Sequence, residues 1–197
     1  MSNPFSTRFT RPGAISYLFP PGQSSVTVLE LLRNNHWWGE IIGPHGSGES
    51  SLLSELLPLL EASGRRIELY SLHQGDRTIH ITKAVVAAWN ADAQIVVDGY
   101  EQLSWWSKRR LQSQVKAQKA GMLITAHQPM GLPPLFATQP TLALARQIVA
   151  ELQRTDPNHA LTDADVAVAF AANGGNLREM LFSLYDVFKR RQTAGDQ

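Results

Sequence analysis

Residues 43–51 read Gly-Pro-His-Gly-Ser-Gly-Glu-Ser-Ser, and Gly43, Gly48 and Ser50 fall where the phosphate-binding pattern Gly-x-x-x-x-Gly-Lys-[Ser/Thr] requires them. The chemistry is that of an anion cradle. Glycines let successive main-chain N–H groups converge on one anion without side-chain interference, and a helix that follows adds the positive end of its dipole. A hydroxyl at Ser50 suits Mg2+, which bridges phosphates. The cofactor-binding set is then Gly43, Pro44, His45, Gly46, Ser47, Gly48, Glu49, Ser50 and Ser51. One residue departs: position 49, where the pattern has lysine, is Glu49. Two unit charges about 4 Å apart interact by about 4 kcal/mol at an effective dielectric of about 20, so reversing the sign lowers affinity by orders of magnitude while the amides remain. The plain alternative is a strand-to-helix turn that is rich in glycine for its own sake.

Two later stretches agree with the cradle. Ile95-Val-Val-Asp98 is an apolar run ending in a carboxylate, the arrangement that holds the Mg2+ shell, which makes Ser50 and Asp98 the metal candidates. Leu123-Ile-Thr-Ala-His127 ends in polar residues, and Thr125 is positioned to orient a water or touch the terminal phosphate. The simpler readings are a β-branched strand residue for Thr125 and a loop histidine for His127. Gly99 follows Asp98, and Glu101 is the nearest further carboxylate. No His-Glu-x-x-His, no Gly-x-Ser-x-Gly and no clustered carboxylates are present, so a zinc hydrolase and a serine hydrolase have no support.

The elements that must position these residues alternate. Val26–Asn35 reads as a helix facing the core with Val26, Leu29, and Leu31 or Leu32. A strand over 38–42 leads into the loop, and a helix over 49–64 carries Leu52, Leu53, Leu56, Leu57 and Leu60 at helical spacing, with Pro58 loosening its last turns and Gly64 as its stop. Then come a strand at 66–72, a helix at 82–91, a strand at 94–98, a polar helix at 104–121 capped by Ser104 and stopped by Gly121, a strand at 122–126 and a weaker one at 134–138. Strand–helix alternation means a parallel sheet with helices on its faces, and ligands bind at the C-terminal strand ends, where the loop, Asp98 and Thr125 all fall. From 139 onward the pattern is helical only: Thr141, Thr162 and Asn176 cap three helices, with Glu179 at capping-box spacing from Asn176, a Pro157-Asn158 turn and a Gly174-Gly175 turn between them, and Thr193–Gln197 fraying. The division is an irregular segment over 1–22, an α/β core over 23–138 and a helical piece over 139–192.

Composition sets the class. With 43% hydrophobic and 18% charged residues the chain can bury a core. It has no cysteine, which removes disulfides and thiolate chemistry. The net charge of +1 gives no overall electrostatic argument for nucleic acid or an anionic membrane as partner. No run approaches the ~20 apolar residues of a membrane span, so a cytoplasmic protein is the expectation. Trp37 and Trp38 suit core packing better than stacking on a base, Tyr17 and Phe19 stand in the N-terminal segment, which in similar folds often passes near a base, and Trp105 and Trp106 open the polar helix, where at least one reaches the surface. Arg109 and Arg110 on that helix read as solvated.

The sequence resembles P-loop NTPases, most of all AAA+-like ATPases. The glycine loop looks like a Walker A motif with Lys replaced by Glu49, 95–98 like a Walker B strand, and 123–127 like a sensor 1 strand. The last three helices are similar to the AAA+ lid, and 174-Gly-Gly-Asn-Leu-Arg-Glu-179 to its sensor 2 segment. The resemblance implies a P-loop α/β core with a three-helix lid, ATP and Mg2+ as cofactors, Thr125, Glu101 and Arg178 as catalytic candidates, and a protein partner regulated by nucleotide state. ATP is favoured over GTP because no Asn-Lys-x-Asp motif is present. A competent ATPase and a nucleotide-free interaction module stay open as alternatives.

Overall fold

Alternate residues of the central strands point to opposite faces, and each face is covered by its own helices. In the computed structural model, which describes residues 3–6, 16–154 and 161–195, β1 (Trp38–Ile42), β2 (Arg66–Ser71), β3 (Ala93–Asp98), β4 (Gly121–Ala126) and β5 (Pro134–Ala137) form one parallel sheet in the order β2-β3-β4-β1-β5. Val96, Leu123 and Ile41 face α1 (Ser25–Asn34) and α2 (Glu49–Ala62), packing on Val28, Leu32, Leu52, Leu56 and Leu60. Ile95, Val97, Met122 and Ile124 face the other way, against Leu111 and Val115 of α4 (Trp105–Ala117), Trp89 after α3 (Lys83–Ala88), and Tyr100 in a short 3-10 turn, Tyr100–Gln102. This two-sided burial is why β3 and β4 are almost continuously apolar.

The α/β class and the parallel sheet agree with the expectation, and three C-terminal helices follow the sheet: α5 (Leu142–Gln153), α6 (Asp163–Ala172) and α7 (Leu177–Gly195). Thr141, Thr162 and Asn176 cap them through their side-chain oxygens, which accept from the N–H of Leu144, Asp165 and Glu179. The two-way capping box forms at Thr162 and Asp165. A separate core of Ala145, Val149, Val166, Met180, Leu184 and Phe188 joins the three helices, and Phe5 from the start of the chain, 1% exposed, is buried in it. Phe5 meets Phe188 at 5.7 Å between ring centroids, and Asn3 donates its side-chain N–H to the Tyr185 carbonyl at 3.1 Å.

Several local expectations are corrected. Helix α1 faces the core with Leu29 and Leu32, as expected, but buries Val28 and leaves Val26 exposed. Helix α2 runs unbroken past Pro58 to Ala62. Helix α4 ends at Ala117, with Lys119 taking the left-handed conformation, and Gly121 is not its stop but the first residue of β4. A Cβ at Gly121 would fall 2.3 Å from Gln94 Oε1, so its role is steric. The helical end of α7 includes Thr193–Gly195, where fraying was expected; Asp196 and Gln197 lie outside the described residues, as does the Pro157-Asn158 turn.

Candidate functional site

Strand register brings the polar residues together. Val97 pairs with Ile124 and Thr125 pairs with Ile41, which sets Asp98 and Thr125 side by side, level with the end of β1 where the glycine loop begins. The Gly43 N–H donates to the Ala126 carbonyl at 3.1 Å and ties the loop's start to β4. A Cβ on Gly43 would meet Thr138 Oγ1 and Ser47 Oγ, and those two hydroxyls share a hydrogen bond beneath the loop. Gly46 and Gly48 have φ of 73° and 104°, in the region that favours glycine, and Gly48 passes directly into α2. The glycine loop therefore ends at the N-terminus of α2, the place where an anion binds a helix.

Across the strand tips stands the carboxylate of Asp98. Its Oδ2 accepts from Ser50 Oγ at 2.9 Å, and its Oδ1 accepts from Thr125 Oγ1. Thr125 in turn accepts from the Gly99 N–H at 2.9 Å. Thr125 is thus a buried residue that holds the Asp98 carboxylate and the turn after it. Gly99 has φ of 79°, and a Cβ there would sit 2.8 Å from the Leu72 carbonyl oxygen. The backbone after Asp98 therefore excludes a glutamate at position 99.

Glu101 lies in the 3-10 turn and reaches back to the site. Its Oε1 pairs with His127 Nδ1 at 3.0 Å, while His127 Nε2 lies 3.9 Å from Glu49 Oε1. The ring of His127 lies against that of His45, centroids 3.5 Å apart and the planes tilted by 49°. Burial holds the His127 imidazole below the ordinary histidine range, against the pull of Glu101. Histidine 127 links three expected site residues, Glu49, His45 and Glu101. Its place at the tip of β4 was visible in the sequence, but its partners follow from register and turn geometry.

Glu49 is 7% exposed, and its Oε1 has no hydrogen-bond partner. Burial pushes its carboxyl up to about 7; its own N–H, a hydrogen bond from Ser47 and the charge of Arg178 pull the other way, and Asp98 adds to the rise. Tyr17 is also raised, to about 12, by burial and by Glu49. Its ring edge lies over Gly48, where a Cβ would be 3.2 Å from Cε2, and its N–H donates to Glu55 Oε1 at 2.6 Å. Pro44 and Arg178 are exposed, and Ser51 is half-buried in the first turn of α2. From the C-terminal helices Asn176 presses on the loop: a Cβ on Gly46 would lie 2.0 Å from its Oδ1. The sequence marked Asn176 only as a cap; the contact with Gly46 was not legible there.

The donor set can be weighed against ATP with Mg2+. The amide cradle and the Ser50–Asp98 pair suit a metal-bound phosphate. The lysine position does not, because an unpartnered carboxylate oxygen stands there. Among the described residues no three of His, Asp and Glu cluster closely enough to hold a metal unaided. Beside the loop a cavity of about 460 Å³ is lined by Tyr17, Gln23, Ile42, Phe136, Gln139 and Leu144. Trp37 and Trp38 sit at the opposite end of β1, with Arg65 over the Trp37 ring at 4.5 Å and Trp38 Nε1 donating to the Ala120 carbonyl at 3.1 Å, so they pack and do not stack on a ligand at the loop.

No family model matches the sequence, and no curated protein matches it. Solved structures do. A DNA replication initiation factor superposes with a TM-score of 0.59 at 13% identity over 90% of this chain and 66% of its own. The Saccharomyces cerevisiae Hsp104–ADP complex gives 0.57 at 12% identity over 92% of this chain and 32% of its own. A variant of Thermotoga maritima RuvB gives 0.50 at 12% identity over 86% and 66%. The protein described here thus spans two thirds or less of the structures it matches. At these identities the likeness is one of fold.

Proposed function

We propose that this protein binds ATP with Mg2+ at the loop Gly43–Ser51, with affinity held low by Glu49, and that the bound state sets the position of α5–α7 and through them a contact with a partner protein. The observation that carries the reading is the hydrogen bond from Ser50 to Asp98 across the strand tips, at the mouth of an amide cradle that opens a helix. Ser50 and Asp98 are the residues that would hold Mg2+, which when bound neutralises phosphate charge. The loop amides bind phosphate, and Arg178, whose charge already acts on Glu49, supplies part of the missing cation. The neighbouring cavity, with aromatic walls and two amide side chains, suits a purine nucleoside. Asn176 against Gly46 gives the loop a direct line to α7.

ATP hydrolysis is a second reading, favoured by one observation. Glu101 holds His127 Nδ1, so Nε2 faces Glu49 and the loop. In that reading His127 and Glu101 replace the carboxylate that Gly99 excludes, and Thr125 keeps Asp98 in place.

Calorimetric titration with Mg-ATP, paired with a phosphate-release assay, tests both. Saturable binding without turnover supports the first reading, and turnover supports the second. Glu49→Lys tightens binding by about tenfold or more, since a charge reversal of a few kcal/mol corresponds to at least that. No binding by the parent at about 1 mM ATP, a level weaker than about −4 kcal/mol, together with no gain in the variant, would leave a nucleotide-free module.

A further inference from the structure

Helix α4 carries a second surface with its own chemistry, on the side of the sheet away from α2. Between Ser104 and Ala120 the chain has five Lys and Arg among its 18 and no Asp or Glu. At the start of the helix Trp105 is 61% exposed and Trp106 is 75% exposed, two large rings that no element among the described residues covers. They meet edge to face with centroids 4.5 Å apart, and the Arg109 guanidinium lies 5.8 Å from the Trp105 ring centre. Trp105, Arg109, Ser113 and Lys116 follow one another at helical spacing along the exposed face, with Trp106 and Arg110 beside them. Among the described residues none of Arg109, Arg110 and Lys116 lies in an ion pair. Arg77 adjoins the patch, because its carbonyl accepts the Ser104 N–H at 3.0 Å.

We propose that this face of α4 binds single-stranded nucleic acid, its bases stacking on Trp105 and Trp106 and its phosphates running along Arg109, Arg110 and Lys116. Charge selects a polyanion. The rings favour one with flat π-faces, because bases stack on exposed aromatic side chains whatever their sequence. A membrane fits less well: apart from the two tryptophans the exposed face carries Arg109, Arg110, Ser113 and Lys116 and no large aliphatic side chain to insert. A duplex fits less well because its bases are already stacked on one another. The surface spans about 17 Å from Trp105 to Lys116 at ~1.5 Å per residue, room for a few nucleotides. The site lies apart from the glycine loop, so it stands or falls independently of the nucleotide reading.

The test uses the full chain and a fluorescein-labelled oligothymidylate of about 20 nucleotides, a length that covers the site sizes of ~4–16 typical of such surfaces. Binding is followed by anisotropy across a salt series, with tryptophan quenching as a second signal. The expected result is quenching on binding, affinity that falls steeply with salt, and weaker binding of the duplex. The double variant Trp105→Ala/Trp106→Ala loses about tenfold or more in affinity, the loss expected for one stacked base. Arg109→Glu/Arg110→Glu weakens binding and flattens the salt dependence. All four side chains are on the exposed part of the helix, and circular dichroism checks that the variants fold. Three outcomes overturn the proposal: no oligonucleotide binding at low salt; heparin competing as well as the oligonucleotide while the tryptophan variant binds unchanged; or partition onto phosphatidylserine vesicles with a blue-shifted emission and no response to DNA.

Discussion

Glu49 is a charged residue type placed where its charge is costly. Its carboxyl is buried, one oxygen is without a hydrogen-bond partner, and burial pushes the group up to about 7. An ordinary glutamate titrates near 4.5, so between about 4.5 and about 7 the folded protein keeps a proton that the unfolded chain has released. Stability from this group is therefore present below about 4.5 and lost as pH rises through about 7. Glu49→Gln removes that slope: chemical denaturation at pH 5 and pH 7, a window set by this linkage, shows the parent losing about 2 kcal/mol more than the variant over the interval. Equal slopes in the two proteins would mean that Glu49 is solvated and does not stand in the cradle. The loop and Asp98 were legible from spacing alone, because glycine positions and a carboxylate after an apolar strand are properties of the local sequence. The pairing of Glu101 with His127 was not, because it needs a 3-10 turn to swing position 101 back over the sheet and a register that brings 127 beneath it.

At the scale of elements, the loop and helix α7 act as one joint. Asn176 Oδ1 caps α7 by accepting from the Glu179 N–H at 3.1 Å, and the same oxygen rests on Gly46. Gly46→Ala brings a methyl group onto that oxygen and forces a side chain into a left-handed conformation, at a cost of about 1–3 kcal/mol. Asn176→Gly leaves the cap weakened by a few tenths of a kcal/mol and clears the space. The two changes are then non-additive: in urea denaturation the double variant is more stable than the sum of the singles predicts. Additive losses would mean that loop and helix are independent. Element types were readable from periodicity and caps, since the cap residues Ser104, Thr141, Thr162 and Asn176 announce their helices. Stops were read less well. Gly121 looked like the end of α4, yet the chain turns at Lys119 and needs the glycine two residues later, where Gln94 leaves no space for a Cβ. In α1, Leu29 and Leu32 were legible as core residues but Val26 was taken for Val28, because Val26, Val28, Leu29, Leu31 and Leu32 leave two apolar faces to choose from and only packing on α2 decides between them.

For the molecule as a whole, the alternation of strands and helices announced a parallel sheet, while the order β2-β3-β4-β1-β5 is a tertiary property that no single segment carries. The total charge of +1 was likewise uninformative about α4, since a sum over the chain conceals one helix with four cations and no acid. The opening residues show the same limit: a segment rich in Pro, Gly and Ser read as irregular, yet Phe5 is part of the core between α5, α6 and α7. Phe5→Ala empties that place at a cost of about 3–5 kcal/mol, measurable as a lowered midpoint of thermal unfolding, whereas an unchanged midpoint would mean that Phe5 does not dock there. The C-terminal helices consequently borrow an aromatic ring from the far end of the polypeptide. Splitting the gene at residue 139 would yield a second half with a hole in its middle, and a short synthetic peptide bearing Asn3 and Phe5 is the piece that would plug it.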